Sequence, residues 1–397
     1  MKTAISVLFI LACIHLSAQP SEKIKNIFII TTDGFRWQEL FTGADSTLIN
    51  NPALVKDTTL IKTQYWDPSA DVRKRKLLPF FWNTIAEKGQ LFGNRLYENK
   101  VNVSNIYKIS YPGYNEILTG YADNRFIPNI SVKNRNTNIL EYLNEQEGYE
   151  GKVVAFTSWN VFPFILNEKR SGFPINSGYE MLNEKEDSGN TVINEVQENV
   201  VEKKHTRYDM LTYLSAKGYI EQNHPKVVFL GFGETDESAH QAKYDMYLQK
   251  AHQFDEMVSQ LWYYVQTDPF YKDNTVFLIT TDHGRGSKPS TWKSHGFWIK
   301  GSGEVWLAML GGGIAPASET KGPQQLYQKQ IASTIAMLLG EDFKAEHPIG
   351  KPMNVAFNKV EEISTTVSVA TPKLVLPVLY SRENKNIPDS TITVRPR

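Results

Sequence analysis

The stretch KVVFLGFGETDESAH (residues 226–240) joins an apolar run directly to an acidic segment. Residues 227–232 are apolar throughout rather than alternating, which is typical of a strand buried on both faces of a parallel sheet. Gly233 ends the run, and Asp236 and His240 follow four residues apart. On a helix, side chains at that spacing lie on one face. Asp236 and His240 are therefore either two metal ligands or a solvated acid beside an unrelated histidine.

Runs of the same kind recur along the chain and are separated by helical patterns. The runs are 26–33, 152–159, 275–282 and 305–313. The clearest helical face recurs at spacings of three and four over about five turns, through Tyr247, Ala251, Phe254, Val258, Leu261 and Val265. Further helices are predicted at 136–148 and 330–339, the second ending at Gly340. The alternation predicts an α/β fold whose central, mostly parallel sheet carries helices on both faces.

Composition excludes several classes of protein. The 397 residues include 43 basic and 43 acidic side chains, so no net charge attracts nucleic acid, and no nucleic-acid-binding surface is expected. The abundance of Phe, Tyr and Trp argues against a disordered chain. No segment beyond the N-terminus is apolar enough for a transmembrane helix. The oligomeric state leaves no signature in the sequence.

The N-terminal segment predicts export. Residues 1–19 combine Lys2, an apolar run and small residues, which is typical of a secretory signal peptide and of a periplasmic or extracellular protein. A lipoprotein anchored through Cys13 is the second reading, since Leu11 and Ala12 precede it. Cys13 is the only cysteine, so the exported chain has no disulfide, and a metal site must use histidines and carboxylates.

Domain boundaries follow from the same patterns. We expect one catalytic domain over residues 20–361, within which the polar, irregular segment 160–224 is interpreted as a cap or insertion. Residues 362–397 contain prolines and show no strong period, which predicts an irregular C-terminal tail.

Acidic and histidine side chains collect where the predicted strands end. Each has an ordinary explanation on its own, such as a turn-forming aspartate or a surface histidine. Parallel strands bring their carboxyl ends to one edge of a sheet, where ligands bind, so the set together predicts a site. Six such ligands can hold two divalent ions and leave open positions for substrate. They are Asp33, Asp236, His240, Asp282, His283 and His295.

The segment ISYPGYNEILTG (residues 109–120) offers a nucleophile. Pro112 and Gly113 suit the first turn of a helix, whose positive end favours an anion. Ser110 precedes them, either as a plain helix cap or as a hydroxyl that attacks phosphorus or sulfur beside a metal ion.

In this order, the residues resemble the alkaline phosphatase superfamily, and within it most closely the nucleotide pyrophosphatase/phosphodiesterase branch. That branch carries Thr or Ser at the nucleophile, then an aromatic residue and Pro, and closes the segment with Thr-Gly. Ser110, Tyr111, Pro112, Thr119 and Gly120 match without a gap. The resemblance covers roughly residues 25–345. It implies an alkaline-phosphatase-like domain that hydrolyses phosphoric esters.

The resemblance also implies roles for the site residues. One zinc ion would be held by Asp236, His240 and His295, and the other by Asp33, Asp282, His283 and the Ser110 oxygen. Ser110 would attack in line and form a phosphoseryl intermediate that water hydrolyses. Two divalent cations outweigh three carboxylates, which suits a small anionic phosphate ester as substrate. A family asparagine contacts a nonbridging phosphoryl oxygen, for which Asn129 is the candidate and Asn134 the reserve.

Departures from the family pattern leave alternatives open. Gly113 and Tyr114 stand where relatives carry Asn and His, and Asn160 stands in the stretch where some monoesterases carry Lys and Arg. Fewer fixed cations favour a diester, although Arg285 or Lys293 could supply charge from another loop. A phosphomonoesterase or a sulfatase of the same fold is the alternative enzyme, but Tyr114 occupies the position where a sulfatase needs Arg. A catalytically silent, metal-dependent binding protein is the alternative from another class.

Overall fold

The computed structural model describes residues 24–125, 127–184 and 188–358. The predicted signal peptide (1–19), with Cys13, and the predicted tail (362–397) lie outside these residues. In the described part, the strands β1 to β11 are Asn26–Thr32, Gln90–Phe92, Asn99–Asn102, Val153–Thr157, Ile175–Ser177, Val227–Phe232, Thr275–Thr280, Glu304–Val305, Leu307–Gly311, Ser318–Glu319 and Gln324–Tyr327.

Helices fill most of the connections between these strands. The α-helices of the described part, α1 to α14, are Trp37–Thr42, Ser46–Ile49, Thr58–Tyr65, Ala70–Leu77, Ala86–Lys88, Ser110–Thr119, Ile139–Asn144, Phe162–Ile165, Glu168–Ser171, Ser188–Glu198, Asp209–Asn223, Glu234–His240, Tyr244–Thr267 and Ile331–Leu339. A π-helical turn covers Phe81–Ile85, and 3-10 turns cover Arg95–Tyr97 and Gln328–Gln330. None of the described helices is both long enough and apolar enough to cross a bilayer.

The central sheet has the strand order β10-β2-β9-β7-β1-β6-β4-β5 within the described residues. Strands β7, β1, β6, β4 and β5 run parallel, and β9 is antiparallel to both β7 and β2. Strands β11, β3 and β8 form a smaller sheet. The prediction of a mostly parallel central sheet is confirmed, and each of the five predicted runs contains one of its strands.

Both faces of the sheet are covered, which explains the unbroken apolar runs. Phe28 and Ile30 of β1 belong to one hydrophobic core, and Ile27 and Ile29 belong to the other. The apolar face of α13 packs into the first core, while α6, α7 and α14 supply the second. Each fully buried side chain of this kind stabilises the fold by roughly 1.5–3 kcal/mol. As predicted, Gly340 ends α14 in a left-handed conformation, with φ 79°.

Part of segment 160–224 belongs to the layers of the central domain. Strand β5 extends the sheet beside β4, and α11 packs against β4 and β6. The interpretation of segment 160–224 as a cap or insertion stays a prediction.

Candidate metal centre and nucleophile

Three strand exits meet at the carboxyl edge of the sheet. The register pairs Thr32 of β1 with Phe232 of β6, and Thr31 of β1 with Thr280 of β7, so these strands end side by side. Asp33 follows β1 at once, Asp282 comes two residues after β7, and Asp236 lies in the first turn of α12, just beyond β6. Because the strands are parallel and in register, three carboxylates converge without any long loop.

Asp236, His240 and His295 form one cluster of potential metal ligands. One carboxylate oxygen of Asp236, Oδ2, lies 2.9 Å from Nε2 of His240. The other, Oδ1, lies 3.7 Å from Nε2 of His295. The two histidine Nε2 atoms are 3.0 Å apart. Three ligand atoms thus face one another across a space that one cation can occupy.

A second cluster shares Asp236 and adds Asp33 and His283. Nε2 of His283 lies 3.3 Å from Oδ1 of Asp33 and 3.4 Å from Oδ2 of Asp282. Oδ1 of Asp282 accepts a hydrogen bond from the Gly34 backbone N–H at 3.0 Å. The other oxygen, Oδ2, is buried and has no hydrogen-bond partner among the described residues. Since a buried carboxylate oxygen rarely stays without a partner, Oδ2 is available as a further metal ligand.

The Ser110 hydroxyl points into the second cluster. Its Oγ lies 3.3 Å from Nε2 of His283 and 3.5 Å from Oδ1 of Asp33. Ser110 is the first residue of α6 rather than the residue before it, and the N-cap position is occupied by Ile109. The expected position outside the helix is therefore wrong by one residue, and plain helix capping does not explain this serine.

Gly113 allows α6 to approach the end of β7. A Cβ at this position would lie 2.5 Å from the carbonyl oxygen of Asp282, far inside van der Waals contact. The helix carrying Ser110 could not come so close with the family's asparagine there. The departure at Gly113 thus accompanies a close contact between helix α6 and the segment that follows β7.

The two candidate asparagines have different surroundings. The exposed Asn129 accepts a hydrogen bond from the Tyr111 backbone N–H at 2.8 Å, so it lies beside the start of α6 and next to Ser110. Asn134 is buried and bonds to Asn115 and to the Ile165 carbonyl group. The structure therefore brings Asn129 to the start of the helix that carries Ser110 and places the reserve, Asn134, in an interior hydrogen-bond network.

Two further side chains enter the centre. The buried Arg285 guanidinium forms an ion pair with Oδ1 of Asp236 and donates to the Trp292 carbonyl at 3.1 Å. The Tyr114 hydroxyl donates to Oδ2 of Asp33 at 3.3 Å. From the sequence, Arg285 is expected only as a possible source of positive charge, and Tyr114 only as a departure from the family pattern. Their positions in the sequence could have indicated that they enter the centre. Arg285 comes three residues after Asp282, and Tyr114 comes one helical turn after Ser110.

Charge in the centre is poorly balanced by the protein alone. Burial and the neighbouring Asp236 carboxylate raise the pKa of Asp33, and burial together with Asp33 raises the pKa of Asp282. Burial also disfavours ionisation of Asp236, but the Arg285 guanidinium holds its pKa well below the usual value. Burial lowers the pKa of His295, which keeps its ring neutral and able to donate a lone pair. These crowded carboxylates fit divalent cations as ligands, and so does the neutral imidazole of His295.

No protein-family model matches the sequence, and no curated protein matches it. Solved structures do match. Alkaline phosphatase PafA aligns over 84% of this chain and 98% of its own, at 11% identity and a TM-score of 0.54. The lipoteichoic acid synthase LtaP from Listeria monocytogenes aligns over 82% and 74%, at 12% identity and a TM-score of 0.50. Phosphonate monoester hydrolase of Agrobacterium radiobacter aligns over 80% and 74%, at 13% identity and a TM-score of 0.50.

At these identities the matches show a shared fold alone. The chain has the α/β fold of alkaline phosphatase PafA, so the fold implied by the sequence resemblance is confirmed. The matches do not single out the nucleotide pyrophosphatase/phosphodiesterase branch.

Proposed function

We propose that the chain is a zinc-dependent phosphodiesterase in which Ser110 is the nucleophile. The observation that carries the proposal is the Ser110 hydroxyl, which lies 3.3 Å from His283 and 3.5 Å from Asp33, beside two clusters of ligand atoms. Serine next to such ligands is the arrangement needed for nucleophilic attack on a phosphoryl group. The shared fold with a phosphatase supports the same class of reaction.

Six side chains would hold two zinc ions. Asp236, His240 and His295 are proposed for one ion, and Asp33, Asp282 and His283 for the other. When bound, the ions supply positive charge that polarises the phosphoryl group, activates the nucleophile and stabilises the leaving oxygen. The three carboxylates partly neutralise this charge, and the surplus attracts an anionic ester.

The protein groups then have the following tasks. The Oγ of Ser110 attacks phosphorus while the bond to the leaving ester oxygen breaks on the opposite side. Water hydrolyses the resulting phosphoseryl bond in a second displacement. The N-terminal end of α6 carries a partial positive charge that favours the anionic group next to Ser110. Asn129, at the same helix end, is proposed to donate its side-chain amide to a nonbridging oxygen.

A diester substrate is favoured over a monoester. The stretch after β4 carries Asn160 rather than a Lys and Arg pair, and Arg285 is engaged with Asp236 rather than free for a dianion. Among the competing activities, hydrolysis of a phosphonate monoester keeps one negative charge on phosphorus, as a diester does, and a solved neighbour with the same fold is named for it. A sulfatase and a silent binding protein are further outcomes of the test.

The test uses a panel of p-nitrophenyl esters with zinc-loaded protein: a monoester, a diester, a phosphonate and a sulfate. We expect the diester to give the highest kcat/KM. Ser110→Ala should abolish turnover with zinc content unchanged at two ions per chain, and Ser110→Thr should retain activity because threonine keeps the hydroxyl. A strong monoester preference would refute the diesterase assignment. Activity retained in Ser110→Ala would remove Ser110 from the mechanism, and bound zinc with no turnover of any ester would indicate a binding protein.

Export is part of the proposal and has its own test. It rests on residues 1–19, which lie outside the described residues. Expression of the full chain followed by N-terminal sequencing should give a mature protein that starts near residue 20. A protein that retains Met1 would contradict export, and lipid attached at Cys13 would select the lipoprotein alternative.

A further inference from the structure

A polar cavity opens beside the metal centre. It encloses about 380 Å³ and is lined by Asn160, Lys203, Lys204, His205 and Glu237. Asn160 lies three residues beyond β4, and Glu237 lies in α12 just beyond β6. Because β4 and β6 are parallel neighbours in register, the cavity lies at the same edge of the sheet as the ligand clusters.

The basic loop of the cavity (residues 203–205) is held by its C-terminal flank. The loop leads into Thr206, which pairs with Trp159, and the Asn160 backbone N–H donates to the carbonyl of His205 at 3.0 Å. Arg207 is fully buried, and its guanidinium donates to Oδ1 of Asn176 at 2.7 Å. The lysines therefore stand on a loop whose backbone is fixed to the end of β4.

Glu237 connects the cavity to the metal centre. It directly follows the proposed ligand Asp236 in α12. One oxygen of Glu237 accepts a hydrogen bond from the Thr206 hydroxyl at 2.9 Å. The cavity and the first ligand cluster therefore share helix α12.

The charges lining the cavity favour an anion. Two lysines and one glutamate line the cavity, and the glutamate carboxylate is already hydrogen-bonded to Thr206. Asn160 and His205, whose side-chain nitrogens are 3.4 Å apart, add further hydrogen-bonding groups. All five residues that line the cavity carry polar or charged groups.

We propose that this cavity binds a second anionic group of the substrate, a phosphate or phosphonate on the part beyond the reacting phosphodiester. Lys203 and Lys204 are then specificity-determining residues that select diesters with an extra negative charge over diesters without one. The inference rests on the proposed phosphodiesterase function and adds the substrate class to it. Lys203 and Lys204 would then supply positive charge to the site, although Asn160 rather than a lysine or an arginine follows β4.

The test compares two chromogenic diesters that differ in one group: ethyl p-nitrophenyl phosphate and 2-phosphonoethyl p-nitrophenyl phosphate. In the wild-type protein we expect kcat/KM to be about tenfold higher for the phosphonate-bearing diester, as two partly screened ion pairs would give. The double variant Lys203→Gln/Lys204→Gln should bring that ratio close to one, and Lys203→Arg/Lys204→Arg should restore it. Added salt should lower the wild-type ratio because it screens the ammonium groups.

A matched control removes the same two positive charges at positions outside the cavity. Lys321 and Lys344 lie outside the cavity lining, and Lys321→Gln/Lys344→Gln should keep the wild-type ratio. Equal kcat/KM for the two diesters in the wild type, or an unchanged ratio in Lys203→Gln/Lys204→Gln, would overturn the proposal. Calorimetric titration of zinc-loaded Ser110→Ala with the same diesters measures binding without turnover. It therefore tests the cavity separately from the proposed phosphodiesterase function. If the wild type hydrolyses neither diester, the proposed function fails, and a stronger affinity for the phosphonate-bearing diester still supports the cavity.

Discussion

Replacing Gly34 with alanine tests whether the turn after β1 packs against the metal ligands. Gly34 has φ +60°, and a Cβ added there would lie 2.7 Å from both Nη1 of Arg285 and Oδ1 of Asp236. These two atoms belong to the same buried ion pair. The added methyl group can be accommodated only if the pair separates or moves together, so Gly34→Ala displaces a proposed ligand without removing any ligand.

The size of the effect follows from two contributions. A left-handed backbone costs an alanine about 1 kcal/mol relative to glycine. Overpacking against the ion pair adds about 1–3 kcal/mol. Gly151 offers a matched control, since it has φ +65° and nothing lies within 4 Å of its added Cβ. Gly151→Ala carries the backbone cost alone, and the difference between the two variants isolates the contact with Asp236.

Two measurements check the prediction. Urea unfolding of the metal-free proteins should show Gly34→Ala less stable than Gly151→Ala by about 1–3 kcal/mol. Competition with a chelator should show zinc affinity lowered about tenfold or more in Gly34→Ala alone, as for other changes that misorient ligands. Equal stability and equal zinc affinity in the two variants would refute the packing of this turn against Asp236 and Arg285.

Three further predictions concern single side chains. Tyr114→Phe removes the hydroxyl that contacts Asp33 at 3.3 Å and should lower zinc affinity about tenfold in chelator competition; an unchanged affinity would contradict a role in orienting Asp33. Glu116→Gln should destabilise the fold by about 1–3 kcal/mol in urea, since Glu116 accepts from the backbone N–H groups of Asn105 and Lys329; a loss below 0.5 kcal/mol would count against this bracing role. Burial raises the pKa of Asp255 to about 7, although the Phe80 and Phe81 backbone N–H groups donate to its carboxylate. Because the folded protein then holds the Asp255 proton more tightly than the unfolded chain, its stability contribution is complete below about pH 4 and is lost towards pH 7, by at most ~1.4 kcal/mol per pH unit. Asp255→Asn should flatten this decline in the free energy of unfolding, measured by urea titration at several pH values. Parallel pH curves for the two proteins would exclude a contribution from Asp255.

The sequence by itself determined the sheet and the place of the site. Unbroken apolar runs such as 227–232 require burial on both faces, and only a sheet between two helical layers provides it. An aspartate directly after such a run, as at Asp33, then falls at the carboxyl edge. The convergence of these residues also depends on the register between separate strands, which an unbroken apolar run does not specify.

Only the tertiary structure decided which neighbours these residues meet. No spacing in the sequence predicts that Arg285 pairs with Asp236, or that Asn129 rather than Asn134 reaches the helix of Ser110. The basic loop at residues 203–205 arrives beside Asn160 from more than forty residues away. Local patterns encode secondary structure because they reflect the periodicity of one element. Contacts between loops depend on how separate elements pack, and that packing leaves no periodic trace in the chain.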